Sequence, residues 1–109
     1  MSYSLVDCVY RNMMNKETFQ IPSADDISKL KVGDLVKLIF FNHNATGETP
    51  KAERMWVILT EINGTKFKGT LDNDPFYLRS IKYQDIIEFE DRHICNLKKL
   101  VKKTIEPLK

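Results

Sequence analysis

The dipeptide Asn63-Gly64, set between two runs of strand-like sequence, constrains this chain more than any other feature. Arg54-Met55-Trp56-Val57-Ile58-Leu59-Thr60-Glu61-Ile62 precedes it and Thr65 to Leu71 follows it. A type I′ turn needs positive φ at two successive residues, which Asn-Gly adopts at little steric cost, so the two runs are expected to pair as adjacent antiparallel strands. In the second run Thr65, Phe67, Gly69 and Leu71 alternate with Lys66, Lys68 and Thr70, which predicts one face in the core and one in water.

Upstream, Leu35-Val36-Lys37-Leu38-Ile39-Phe40-Phe41 has bulky apolar residues in both registers, so it reads as a strand that is central or covered on each side. Val32-Gly33-Asp34 turns into it, and 42–53 is the longest irregular connection between strands. Leu5, Cys8, Val9 and Met13 recur at helical spacing and predict a short N-terminal helix. Ser23 followed by Asp26 is an N-cap pattern for a second short helix through Leu30. Downstream, Asp72-Asn73-Asp74-Pro75 breaks the hairpin strand, Phe76-Tyr77-Leu78 reads as briefly extended, and Ile86 to Glu90 follows the turn at 82–85 as a last strand. From Asp91 to Glu106, Ile94, Leu97, Leu100, Val101 and Ile105 share one helical side, and Lys98, Lys99, Lys102 and Lys103 the other, which predicts a C-terminal helix.

These elements define an α+β, mainly β chain: a strongly bent antiparallel meander with short N-terminal helices and a C-terminal helix, either an SH3-like partial barrel, which is favoured, or an α+β roll. At 109 residues it is expected to be one domain, 1–109, with one core. No apolar run approaches the ~20 residues that span a bilayer, and the start Met1-Ser2-Tyr3-Ser4 has no signal-peptide character, so a cytoplasmic protein without a membrane partner is expected. Cys8 and Cys95 have no metal-ligand spacing and read as packed, reduced thiols, with a disulfide linking the termini as the less favoured alternative. The net charge of +2 is uneven, with six Lys/Arg against Asp91 and Glu106 in residues 91–109.

Candidate sites are each weighed against a plainer reading. His93 beside Cys95 falls short of a zinc site, and a half-buried histidine bonded to backbone is preferred. Asp72, Asp74 and Asp85 offer oxygen ligands but lack calcium-loop spacing, so turn chemistry is preferred. Glu53, Arg54 and Trp56 at a strand mouth suit a partner or ligand cleft, although a core Trp56 with rim charges is the preferred reading. Lys66, Lys68, Lys98, Lys99, Lys102 and Lys103 present charge suited to phosphates, but no stacking aromatics interleave with them. No catalytic constellation, cofactor motif or phosphate-cradling glycine loop is present, so neither enzyme nor cofactor is implied.

Leu30 to Leu38, Glu53-Arg54-Met55-Trp56-Val57, Gly69 to Pro75, and Tyr83-Gln84-Asp85 leading to His93-Ile94 together resemble a bacterial family of small uncharacterised domains, domain of unknown function twenty-three fourteen, and relatives described as immunity proteins of polymorphic toxin systems. The resemblance covers roughly residues 18–95. It departs at Gln84, where the family usually has glycine, a residue that tolerates positive φ. It implies a compact β domain without established catalysis and, in relatives, binding to a cognate toxin. Because this chain is slightly basic, such a target would be acidic or bound by shape and apolar contact.

The functional expectation is therefore a non-catalytic protein-binding module of the immunity type. It would act through the 42–53 loop, the Arg54/Trp56 edge and the 72–77 turn, with Glu53, Asp72, Asn73, Asp74, Phe76 and Tyr77 at the contact. The alternatives are a nucleic-acid-binding small barrel using the lysine face and a small-ligand or metal-binding protein using the carboxylates. The sequence sets no oligomeric state.

Overall fold

A computed structural model describes residues 2–99. Its elements are β1 (Tyr3–Leu5), α1 (Cys8–Met14), α2 (Ala24–Ser28), β2 (Leu35–Asn42), β3 (Ala52–Asn63), β4 (Lys66–Leu71), β5 (Ile86–Glu90), a 3₁₀ turn (Asp91–His93) and β6 (Asn96–Lys98). All strand pairings are antiparallel, in the order β1-β2-β3-β4-β5, with β6 also on β2.

β2 is the hub of this sheet. One edge pairs with β3 from Leu35↔Ile58 to Phe41↔Ala52. The other edge is divided, with β1 on Phe40–Asn42 and β6 on Leu35–Lys37. Because the 3₁₀ turn carries the chain from β5 across to β6, the sheet is nearly closed into a small barrel. The mainly β meander read from the sequence is therefore the observed architecture.

Alternation along the strands builds the interior. Val36, Leu38 and Phe40 of β2 face Met55, Val57 and Leu59 of β3, Phe67 and Leu71 of β4, and Ile87 and Phe89 of β5, with Leu30, Leu78 and Ile94 closing the ends. Fully burying each such side chain contributes about 1.5–3 kcal/mol. Phe67 and Phe89 stack with centroids 5.5 Å apart. Gly69 leaves out a side chain where one would strike the Ile58 carbonyl and the Val57 side chain. The register slips at Thr60, between Leu59↔Gly69 and Glu61↔Lys68, a bulge that bends the long β3 ribbon.

Several local readings hold. Ser23 caps α2 in a reciprocal capping box with Asp26, the Ser23 hydroxyl accepting from the Asp26 N–H at 3.0 Å. β5 spans the expected Ile86–Glu90. β2 is covered on both faces, because Ile39 points outward into a second cluster with Cys8 and Cys95.

Others are corrected. The expected C-terminal helix is, over its described part, the 3₁₀ turn and β6: Ile94 and Leu97 reach the core, but the unpaired half-edge of β2 captures 96–98 as a strand. Residues 100–106 of that expected helix, with Lys102 and Lys103, lie outside the described residues. At the other end Leu5 is in β1, and Asp7 caps α1 through a 2.9 Å bond from the Tyr10 N–H. Cys8 is the buried residue of that helix, whereas Val9 and Met13 are 41% and 62% exposed.

The hairpin turn is also reassigned. Asn63 pairs with Lys66, so the turn centres on Gly64-Thr65 with positive φ at Gly64 alone, the type II′ pattern. Phe76 and Tyr77 form a bend and Leu78 is irregular rather than strand, and the connection 72–85 is longer than 43–51. Trp56 is half-buried on the outer wall rather than in the core, because Met55, Val57 and Leu59 take the inward positions. Gln84 adopts φ +74°, the conformation glycine would take without strain. Among the described residues no helix is long and apolar enough to cross a membrane.

Candidate functional site

The two most specific sequence stretches, 53–57 and 71–75, are bonded to each other. Glu53, at the start of β3, accepts backbone N–H bonds from Phe76 at 2.8 Å, Tyr77 at 2.7 Å and Leu78 at 2.6 Å. Three residues on, the Asn73 side-chain carbonyl accepts the Trp56 N–H, and the Asp72 N–H donates to the Trp56 carbonyl at 2.9 Å. A carboxylate offers about four lone-pair directions, and here three are filled by consecutive amides of one bend.

The segment 72–78 is thus anchored at both ends to one strand. Leu78 is buried beneath it, while Phe76 is 77% exposed. The Phe76 and Tyr77 rings lie 5.1 Å apart. Beside them the 43–51 connection forms the opposite wall of a hollow of about 440 Å³ lined by Ser2, Asn42, Asn44, Thr49, Tyr77 and Arg79. Two exposed aromatics on anchored backbone suit recognition, since little conformational entropy remains to be lost on binding.

Arg54 and Trp56 occupy the outer wall of β3. The Lys37 ammonium sits 4.8 Å from the Trp56 ring centroid, as their cross-strand register requires. The Arg54 guanidinium lies 5.8 Å from the Phe19 ring, which Arg11 also approaches at 5.3 Å. Neither Lys37 nor Phe19 stands out in the sequence as a site residue. The register Lys37↔Trp56 becomes readable only once β2 and β3 are known to pair, and Phe19 reaches Arg54 from a distant irregular segment.

The structure therefore gathers Glu53, Asp72, Asn73, Phe76 and Tyr77, leaves Asp74 exposed nearby, and puts Arg54 and Trp56 on the adjoining wall. It does not gather the carboxylates around a cation. Asp85 instead caps its own turn, accepting the Lys82 N–H at 2.9 Å beside the Lys82 ammonium at 3.3 Å, and those contacts hold its carboxyl below the usual range. Among the described residues no group of three or more His, Cys, Asp or Glu is placed to hold a metal ion.

The lysines are likewise divided. Lys66 lies opposite Glu90, and Lys68 is 4.0 Å from Glu88, so carboxylates interleave with the hairpin cations. Lys98 lies opposite Leu35 on β6, and the Lys99 ammonium is 3.4 Å from Asp34. His93 accepts the Glu90 N–H through Nδ1 at 3.0 Å, and burial lowers its pKa. His43 meets the Ser4 hydroxyl at 3.0 Å. Cys8 and Cys95, distant in sequence, are buried together as free thiols.

Fold and site define a small, nearly closed antiparallel β-barrel domain with an anchored aromatic bend beside one end. The chain belongs to the bacterial family described as "Uncharacterized protein conserved in bacteria (DUF2314)", whose model matches residues 10–105. The match extends beyond the 18–95 stretch that carries the recognisable motifs, taking in α1 from Tyr10 onward and β6. No curated protein and no solved structure matches the chain.

Proposed function

We propose that this protein is a non-catalytic protein-binding module of the immunity type, which neutralises a cognate toxin-like protein through the 72–77 bend, the 42–53 connection and the Arg54/Trp56 wall. The observation that carries the reading is the clamp of Glu53 on three consecutive amides, which holds Phe76 and Tyr77 at the surface on fixed backbone. A highly exposed phenylalanine contributes nothing to the core, and aromatics on rigid backbone are what dominate binding energy at protein interfaces. On the outer wall of β3, Arg54 over Phe19 and Lys37 over Trp56 add cations that favour an acidic or aromatic counterpart.

The test is calorimetric titration of the product of the adjacent gene into the full chain, repeated with Phe76→Ala and Tyr77→Ala. Each substitution is expected to weaken binding at least ~10-fold, about 1.4 kcal/mol, while leaving thermal stability within about 0.5 kcal/mol. Absence of binding to that product, or equal affinity for both variants, would defeat the proposal.

A further inference from the structure

Two thiols meet in a small cluster on the outer face of β2, apart from the barrel interior. Cys8 in the first turn of α1 and Cys95 just before β6 pack with Ile39 under Val6, Phe19 and Ile21. Both are free and buried, Cys95 with 7% of its surface exposed. The main chain fixes each side: the Val6 N–H donates to the Ile39 carbonyl at 3.0 Å, and the Cys95 N–H to the Lys37 carbonyl at 2.9 Å. Alternate positions of one strand, Lys37 and Ile39, thus hold the two segments, and both thiols lie in the same buried cluster.

Their environments differ. Cys8 donates to the carbonyls of His93 and Val6, at 3.5 and 3.7 Å, and is fully buried; the adjacent Cys95 and that burial keep its thiol protonated and push its pKa up. Cys95 is the more exposed of the two, 7% against 0%, and the neighbouring Cys8 thiol together with the cations Arg54 and Lys37 shifts its thiol down despite burial. It also lines a surface hollow of about 410 Å³ with Gln20, Ile21, Pro22 and Asp26, the side from which a small oxidant would approach.

We propose that Cys95 and Cys8 form a peroxide-sensitive thiol pair, Cys95 the nucleophile and Cys8 the resolving thiol, whose oxidised state is an intrachain disulfide joining α1 to the start of β6. The Cys95 thiolate attacks one oxygen of hydrogen peroxide; an S–O bond forms, the O–O bond breaks, and the departing hydroxide takes up a proton to become water. Cys8 then loses its proton and attacks the sulfenic sulfur, forming the S–S bond as the S–O bond breaks and a second water leaves. In sum two thiols lose two electrons and two protons to one peroxide, giving two waters, and a dithiol reverses the change. The consequence falls on α1, which buries only Cys8 and carries exposed Val9, Tyr10, Met13 and Met14. Oxidation ties that helix to the sheet by a covalent bond in place of one buried side chain. The inference is independent of the partner-binding reading.

The test treats the reduced full chain with hydrogen peroxide, stops the reaction with catalase, alkylates and digests. The expected product is a Cys8–Cys95 linked peptide, two hydrogens lighter than the reduced pair, and a melting temperature raised on the order of 10 °C that returns to its starting value with dithiothreitol. In Cys8→Ser, dimedone should label Cys95 at least ~10-fold faster than it labels Cys8 in Cys95→Ser. If either variant fails to fold, the wild-type mass and melting shift still decide. Two alkylatable thiols after peroxide, disulfides only between chains, or sulfinic Cys95 beside free Cys8 would overturn the pair. Faster labelling of Cys8 would overturn the assigned order.

Discussion

Replacing Glu53 by glutamine isolates the clamp with almost no change in shape. The wild-type carboxylate accepts three amides, at 2.8, 2.7 and 2.6 Å. A hydrogen bond to a charged group is worth about 1.5–3 kcal/mol, but the Phe76 and Tyr77 amides lie at the surface and recover part of the loss from water. Leu78 sits on a buried side chain, so its amide recovers least. Glutamine keeps one acceptor oxygen and turns an NH₂ toward the remaining donors, a net cost of about 1.5–3 kcal/mol, with Glu53→Ala at about 2–4 kcal/mol. In urea, with a slope of about 1–1.5 kcal/mol/M for a chain of this size, the Gln variant should unfold roughly 1–3 M earlier at unchanged slope. Amide exchange at 76–78 should accelerate most. An unchanged midpoint together with wild-type exchange at those three amides would show that the clamp carries no stability and remove the basis for a fixed aromatic bend.

Gln84→Gly should stabilise by about 0.5–1 kcal/mol in the same assay, because relief of a non-glycine residue at φ +74° exceeds the chain entropy glycine adds; a destabilised variant would refute this. Gly69→Ala should destabilise by at least ~2 kcal/mol, since the methyl group meets the Ile58 carbonyl and Val57, and a neutral effect would mean the strands part at little cost. Stability should also fall with pH near His93. Burial depresses its folded pKa below the unfolded value of about 6.5, so the unfolded chain binds the proton first, and stability present at pH 7 declines as pH drops toward the folded value. Protonation also removes the Nδ1 lone pair that accepts the Glu90 N–H, so His93→Gln should flatten urea midpoints between about pH 7 and 5.5, and an unaltered slope would count against this account. Asp7, Asp85 and Glu90, whose carboxyls are all held low by their partners, should add a further loss at more acidic pH, seen as a second decline in the same midpoints.

What the chain states locally is strand period, turn position and cap. The alternation from Lys66 to Leu71, a hairpin turn at Gly64 within one residue of its expected place, the Ser23/Asp26 cap and the run Ile86–Glu90 each involve residues a few positions apart, so a single reading frame suffices to see them. Which edge pairs with which depends on groups left unsatisfied tens of residues away. The apolar spacing at 94 and 97 suits a helix face as well as a strand against a core, and only the open half-edge of β2 beside Leu35–Lys37 decided for β6. Likewise Trp56 could have faced either way until Met55, Val57 and Leu59 met Phe67 and Leu71 inside the barrel. Asn73 resembled an ordinary turn residue until its carbonyl met the Trp56 amide, and Cys8 met Cys95 because β1 and β6 share one edge of β2. Backbone hydrogen bonds must be satisfied across the whole sheet at once, so the site these pairings assemble belongs to the tertiary structure, while the strands that carry it were already written along the chain.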